Sequence, residues 1–364
     1  MKEEKRRFVG IDLGKREYTM AIIGRNGKMN IYCGQTHSRG RQALYQRLEK
    51  SDKVALEAGN LAFIMASEIQ ERIGSEVRVL NSAKLPFIWD APTKTDKEDA
   101  MKLAHLIEER RDEKLPIVPL PSEKEMERRK TIASYSREVR RRVSLLNQLH
   151  AMFVHQGHTT VVKKDIATDK KRRETINVLK GLEREEAEWI LKYLQLHDER
   201  IKELKDRIKK EASQDEDMKN LQTIPGVGPI VSYAFTAHVG DGSRFSKSAQ
   251  VSNFIGFVPR LDYSGDTRRQ GHITKHGNGY LRGLLVQSAW TMVLCKKQSS
   301  LRDRFICLTK YGGKGKKKTI VSIGRRLTEL MYAVLRNKSH FEPRMWDGKK
   351  EFFADIKELK KLSA

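Results

Sequence analysis

The chain has 364 residues, enough for two or three domains, and its 72 Lys and Arg against 47 Asp and Glu leave a formal charge of +25. Such an excess attracts polyanions, so nucleic acid is the expected partner, while the absence of any apolar run long enough to cross a bilayer argues against a membrane protein. Three widely spaced cysteines (Cys33, Cys295, Cys307) exclude a zinc ribbon; with no signal-peptide stretch at the N-terminus they point to the reducing cytoplasm.

The first stretch alternates strand and helix patterns. Phe8–Asp12, Tyr18–Ile23 and Met29–Cys33 read as a three-stranded meander, with Gly24–Gly27 (GRNG) turning between the second and third. A helix over Arg41–Lys50, a buried strand Lys53–Glu57, a helix Leu61–Ile73 closed by Gly74, and a strand Glu76–Leu80 follow. A Pro-containing connection (KLPFIWDAPTKT) leads to a helix from Asp96 to about Arg110. That order suits an α/β domain with a mixed sheet over residues 1–120.

Four acids stand at the ends of these elements. Asp12 closes the first strand and Glu57 the fourth, so the two leave one sheet edge if those strands are neighbours. Asp96 and Asp99, three apart, share a helix face with Ala100, Leu103 and Ile107, the core-facing stripe. Acids also suit a helix's first turn, Thr95 and Glu98 make a capping box, and Asp12 suits a turn. The four together favour a cation site: converging carboxylates raise one another's pKa unless cations bind, and Mg²⁺, or Mn²⁺ in its place, prefers such oxygen ligands.

Residues 121–215 are helical in composition. Ile190, Leu194, Ile201, Leu204 and Ile208 are spaced for a long amphipathic helix, either packed in a bundle of its own chain or forming an antiparallel or dimerising coiled coil. In residues 216–345, Ile224–Gly228 (IPGVG) resembles a helix-hairpin-helix turn, where Gly226 and Gly228 would let the backbone approach a phosphate. Tyr263–Asp266 reads as a turn, and Arg268, Arg269, His272, Lys275 and His276 as a basic loop before apolar helices over Leu281–Leu294 and Thr319–Leu335. Arg260, Arg282 and these loop cations are the expected phosphate contacts. Ser264 reads first as a turn serine beside a DNA-binding loop, although its setting amid arginines would also suit attack on a phosphodiester. The basic run at 312–318 (GGKGKKK) lacks the spacing of a phosphate-binding P-loop, and residues 346–364 read as a peripheral helix.

IDLGK, LEAGN and TKTDKEDAMKLA resemble the Asp, Glu and Asp-x-x-Asp blocks of the DEDD transposases of bacterial insertion sequences and of Piv-type DNA invertases. IPGVG, GFVPRLDYSG and KHGNGYLRGLL are similar to the same family's C-terminal transposase domain. The resemblance implies an N-terminal RNase H-like (RuvC-like) catalytic domain, a helical coiled-coil middle and a C-terminal domain containing the helix-hairpin-helix. It implies that Asp12, Glu57, Asp96 and Asp99 bind Mg²⁺, and that Ser264 attacks DNA to form a covalent phosphoserine link. It further implies a homo-oligomer (dimer or tetramer) with a composite site, acting on donor and target DNA under the direction of a structured guide RNA. Asp266 and Thr267 depart from the family's pattern, which makes Thr267 a competing hydroxyl.

Overall fold

The computed structural model describes residues 6–59, 61–81, 85, 95–264, 267–295, 299–313 and 315–342, the side chains of 261–270 and 311 excepted. The chain is mixed α/β, mostly helical, and divides into two compact units, Met1–Ser122 and Glu123–Ala364.

The first unit is a six-stranded mixed sheet with helices on both faces. β1 (Phe8–Leu13), β2 (Glu17–Ile23) and β3 (Met29–Gln35) form the expected antiparallel meander. Then come α1 (Ser38–Tyr45), β4 (Lys53–Glu57), α2 (Ala62–Arg72), β5 (Glu76–Leu80), α3 (Asp96–Glu109) and β6 (Ile117–Val118). The sheet order is β3-β2-β1-β4-β5-β6; β4 runs parallel to both β1 and β5, and β6 antiparallel to β5. The period-2 alternation of the strands sorts side chains by size between two faces. One face carries Val9, Ile11, Met20, Ile22, Val54, Leu56, Val77 and Val79 and packs with α1 and α2 through Leu44, Met65, Ala66 and Ile69. The other carries Gly10, Ala21 and Ala55, small enough to seat α3 through Ala100, Leu103 and Ala104.

Two sequence expectations shift here. α1 spans Ser38–Tyr45 rather than Arg41–Lys50: His37 caps its start, its Nδ1 accepting from Gly40 N at 3.1 Å, and the helix stops at the Gln46 C-cap. β6 was not foreseen, since two residues carry no periodicity.

In the second unit α4 (Glu123–His155) and α6 (Gly181–Gln214) lie antiparallel against each other, linked through α5 (Asp169–Thr175). Gln156 Nε2 donates to Lys180 O at one end of the pair, and Arg128 pairs with Glu211 and Asp215 at the other. Among the readings that the helical spacing left open, the pairing within one chain is present. α7 (Glu216–Gln222), α8 (Pro229–Val239), α9 (Ser248–Ile255), α10 (Gly279–Leu294), α11 (Ser300–Ile306) with a π-helical turn Cys307–Tyr311, and α12 (Lys316–Asn337) share a large apolar core with the ends of α4 and α6.

The run read as a turn and basic loop is instead a β-hairpin, β7 (Pro259–Ser264) and β8 (Thr267–Ile273), with Ser264 paired to Thr267. Arg268, Arg269 and His272 are therefore strand residues. Charge concealed the pattern, although two residues, Gly-Asp, between paired runs suit a tight hairpin. Most of the Pro-containing connection, Asp266, and the tail at 346–364 lie outside the described residues. No helix among the described residues is long and apolar enough to cross a membrane.

Candidate active site

The four acids singled out in the sequence all belong to the first unit, and the sheet explains their approach. Gly10 is level with Ala55 of β4 and Ile11 with Leu56, so Asp12 and Glu57 stand side by side at the ends of parallel neighbours. Successive residues alternate faces, so Gly10 and Asp12 share the face on which α3 lies, as do Ala55 and Glu57. A Cβ at Gly10 would fall 2.1 Å from Ala100 O and 2.5 Å from Ala104 N. Backbone packs on backbone there, and only glycine permits it. The first turn of α3, one turn before Ala100, is thereby carried over the strand ends.

Thr95 caps α3, its hydroxyl accepting from Glu98 N at 3.3 Å, so the capping reading and the site reading hold for the same turn. Asp96 is exposed; Asp99 is 3% exposed, with Lys102 Nζ 3.8 Å from its Oδ1.

The carboxylates lie within electrostatic reach of one another. The Asp12 carboxyl is pushed up to about 6, first by burial and then by the negative charges of Asp96, Asp99 and Glu57, against one opposing hydrogen bond from the Leu13 backbone. Every group named in that shift apart from Leu13 is one of the four acids. Among the described residues no three His, Cys, Asp or Glu side chains converge tightly enough to form a closed metal-ligand set. The acids are thus close enough to repel, and not drawn into coordination. Four mutually repelling carboxylates, with one lysine beside Asp99, fit a hard divalent cation, which would supply positive charge.

Matches to known proteins cover both units. Residues 9–158 match a family described as "Transposase" (DEDD_Tnp_IS110), and residues 218–304 match "Transposase IS116/IS110/IS902 family". The chain belongs to the IS110/IS116/IS902 family of transposases. It is 26% identical over 82% of its length, and 88% of the relative's, to a probable family 20 transposase of Pseudomonas aeruginosa. It is 27% identical to the transposase for insertion sequence element IS1328 of Yersinia enterocolitica, over 78% of this chain and 82% of that one. Over 34% of its length, and 38% of the other's, it is 30% identical to a pilin gene-inverting protein of Moraxella bovis. The chain is accordingly an insertion-sequence transposase, of a family whose activity is DNA cleavage and recombination.

The remaining expected residues of this transposase lie in the second unit. Ser264 ends β7; its side chain, like those of Arg268 and Arg269, lies outside the described residues. Arg260, Lys275 and His276 are exposed, with no acidic partner among the described residues. Arg282 is otherwise engaged: its Nη1 donates to Ile255 O at 2.9 Å and to Lys275 O at 3.2 Å, fixing the loop that presents Lys275 and His276. The two hairpin glycines differ in kind. Gly226 has φ +86°, and a Cβ there would lie 2.5 Å from Ser288 O of α10, so packing and backbone shape account for it. At Gly228 a Cβ would meet nothing within 4 Å, which leaves this backbone open to a ligand.

Sequence reasoning missed Gly10, whose role depends on a helix some ninety residues away, and the Asn278–His238 link. Asn278 caps α10, accepting from Tyr280 N at 2.9 Å, and its Nδ2 donates to His238 Nε2 at 2.9 Å. The ring is a sound acceptor, because burial, helped by Arg129 and Arg244, pushes the His238 pKa down to about 4. An Asn before Gly-Tyr and an apolar helix was a legible cap signal.

Proposed function

We propose that this transposase cuts and rejoins DNA in a divalent-metal-dependent reaction in which Asp12, Glu57, Asp96 and Asp99 hold Mg²⁺, or Mn²⁺ in its place, and Ser264 becomes covalently linked to a DNA phosphate. The observation that carries the metal reading is the Asp12 carboxyl, raised to about 6 with the other three acids as its charged neighbours. When bound, the cation polarises the scissile phosphate and stabilises the entering and leaving oxygens. The protein's part is to hold four acids together at the cost of their mutual repulsion, on a helix seated at Gly10.

In the proposed exchange, Ser264 Oγ loses its proton and bonds to phosphorus. One phosphorus–deoxyribose ester bond breaks, and the departing oxygen leaves as a hydroxyl. Attack by a DNA hydroxyl on the serine ester reverses these changes and joins new ends, with the phosphate bond energy conserved. Arg260, Arg268, Arg269, Lys275, His276 and the open backbone at Gly228 contact phosphates. The +25 charge supports binding of a guide RNA together with donor and target DNA, so that base pairing selects sequence. A homo-oligomer is supported by Leu182, Trp189 and Leu196, exposed at sevenfold spacing on α6 with Tyr193 between them. The cytoplasm, where DNA and RNA are both at hand, is the proposed site of action.

The test is to incubate the full-length protein with DNA spanning its element's ends and resolve the products under denaturing conditions. A Mg²⁺-dependent protein–DNA adduct is expected in the wild type and in Thr267→Ala, and none in Ser264→Ala or Asp12→Asn. Cleavage without an adduct would leave a resolvase-like nuclease, and full function with all four acids neutralised would leave a nucleic-acid-binding protein without catalysis.

A further inference from the structure

The second unit holds a cavity of about 540 Å³, open on one side, which shares only Gly228 with the residues assigned to the reaction above. It lies within the roughly 300–1,000 Å³ range of pockets that take a small ligand. Four helices build it, with most of them contributing positions one turn apart. α4 gives Tyr135 and Val139; α6 gives Lys205 and Lys209. The N-terminus of α8 gives Gly228 through Val231. α10 gives Tyr280, Gly283 and Gln287.

The chemistry of this lining is divided. Its walls are mainly apolar and aromatic. Its rim carries Lys205 and Lys209, both exposed and neither with an acidic partner among the described residues. Tyr135 and Tyr280 face the same space, and neither hydroxyl has a hydrogen-bond partner among the described residues. Burial pushes the Tyr280 phenol up to about 12, with Tyr135 adding to the rise and Arg140 opposing it. Both phenols therefore stay neutral donors. The positive end of α8 and the uncovered backbone at Gly228 add to the positive side, although Pro229 has no N–H and the Val231 and Ser232 N–H groups are taken by Gly228 O. A purely apolar ligand would leave these lysines and phenols without partners, and a bare anion would leave the aromatic walls unused.

We propose that this cavity takes one unstacked nucleotide of a single-stranded stretch of polynucleotide, its base against Tyr135 and Tyr280 and its phosphate at Lys205 and Lys209. An aromatic wall with adjacent free cations is how proteins hold single strands, because every base has a face to stack. Paired bases in a duplex cannot enter. The proposal rests on the reading of the chain as a recombinase that handles polynucleotides, and adds which of their parts this surface selects.

The test uses the full-length protein and 12-nucleotide single strands of DNA and of RNA, each with one 2-aminopurine, and the same DNA as a duplex. Single strands should change the 2-aminopurine emission on binding, and the duplex should not. The tighter binder of the two single strands identifies the source of the nucleotide. Gly283→Leu fills the cavity from a helix position where a Cβ meets nothing within 4 Å. It should keep the wild-type unfolding midpoint and bind single strands about tenfold more weakly, the loss of one stacked base. Lys205→Gln with Lys209→Gln should flatten the dependence of log K on log salt by about 0.7, one phosphate contact on a single strand. Single-strand binding by Gly283→Leu as tight as the wild type's, or an unchanged salt slope in the lysine variant, overturns the proposal. Mg²⁺-dependent cleavage of duplex ends by the same variants separates the two readings. Cleavage retained without any single-strand selectivity sinks the cavity alone; cleavage absent in the wild type sinks the recombinase mechanism.

Discussion

Asp12→Asn is expected to inactivate the transposase and at the same time stabilise its first unit. The carboxyl's pKa rises from 3.8 to about 6 on folding. A raised carboxylate pKa means the folded chain holds a proton that the unfolded chain has released. Stability therefore falls as pH rises from about 4 to about 6, and the full penalty persists above that window. A shift of roughly two units corresponds to a ceiling of ~3 kcal/mol, and because Asp12 keeps partial contact with water, screening reduces this to about 1–2 kcal/mol. Asparagine keeps the shape and an acceptor oxygen for the Leu13 N–H while removing the charge. At pH 8 without divalent ions the variant should melt about 3–6 °C above the wild type, and at pH 4 the two should coincide. Millimolar Mg²⁺ should raise the wild-type midpoint and close most of the gap, since the ion neutralises what the mutation removes. Calorimetry or denaturant titration at the two pH values measures this. A variant no more stable than wild type at pH 8, with a difference that Mg²⁺ leaves unchanged, would refute the claim that mutually repelling charge collects at this sheet edge.

Three further outcomes follow from packing. Gly10→Ala forces Ala100 O away from a methyl placed at 2.1 Å, so α3 must lift; a loss of about 1–3 kcal/mol and of Mg²⁺-dependent cleavage is expected, readable by melting and by the adduct assay. Gly226→Ala meets Ser288 O at 2.5 Å in a left-handed backbone and should cost upwards of ~2 kcal/mol, whereas Gly228→Ala should stay within about 0.5 kcal/mol; urea midpoints of the pair compare them directly. Arg128→Ala leaves Glu211 and Asp215 facing each other without their shared cation and should destabilise the second unit by about 3 kcal/mol, with Glu211→Gln in the same chain recovering part of it.

These cases also divide what a sequence discloses from what it hides. The meander, β4, β5 and α3 were legible because each repeats its own period, and a strand that ends in an acid before glycine shows the acid's place without any partner. The neighbouring of Asp12 and Glu57 needed only that β1 and β4 be adjacent. What brings Asp99 to them did not show locally: Gly10, Ala21 and Ala55 look like weak strand residues until a helix is laid on them. The same logic hid the hairpin, whose strands are too basic to alternate in polarity and are specified by their pairing, Ser264 against Thr267. It hid the cavity too, since Tyr135 and Tyr280 are 145 positions apart and each alone reads as an ordinary helix aromatic. Short-range pattern thus marked the groups that carry charge, while small residues and long-range pairing decided where those charges meet. A search for the chemistry of such a transposase gains most by asking which glycines and alanines share a strand face with an acid.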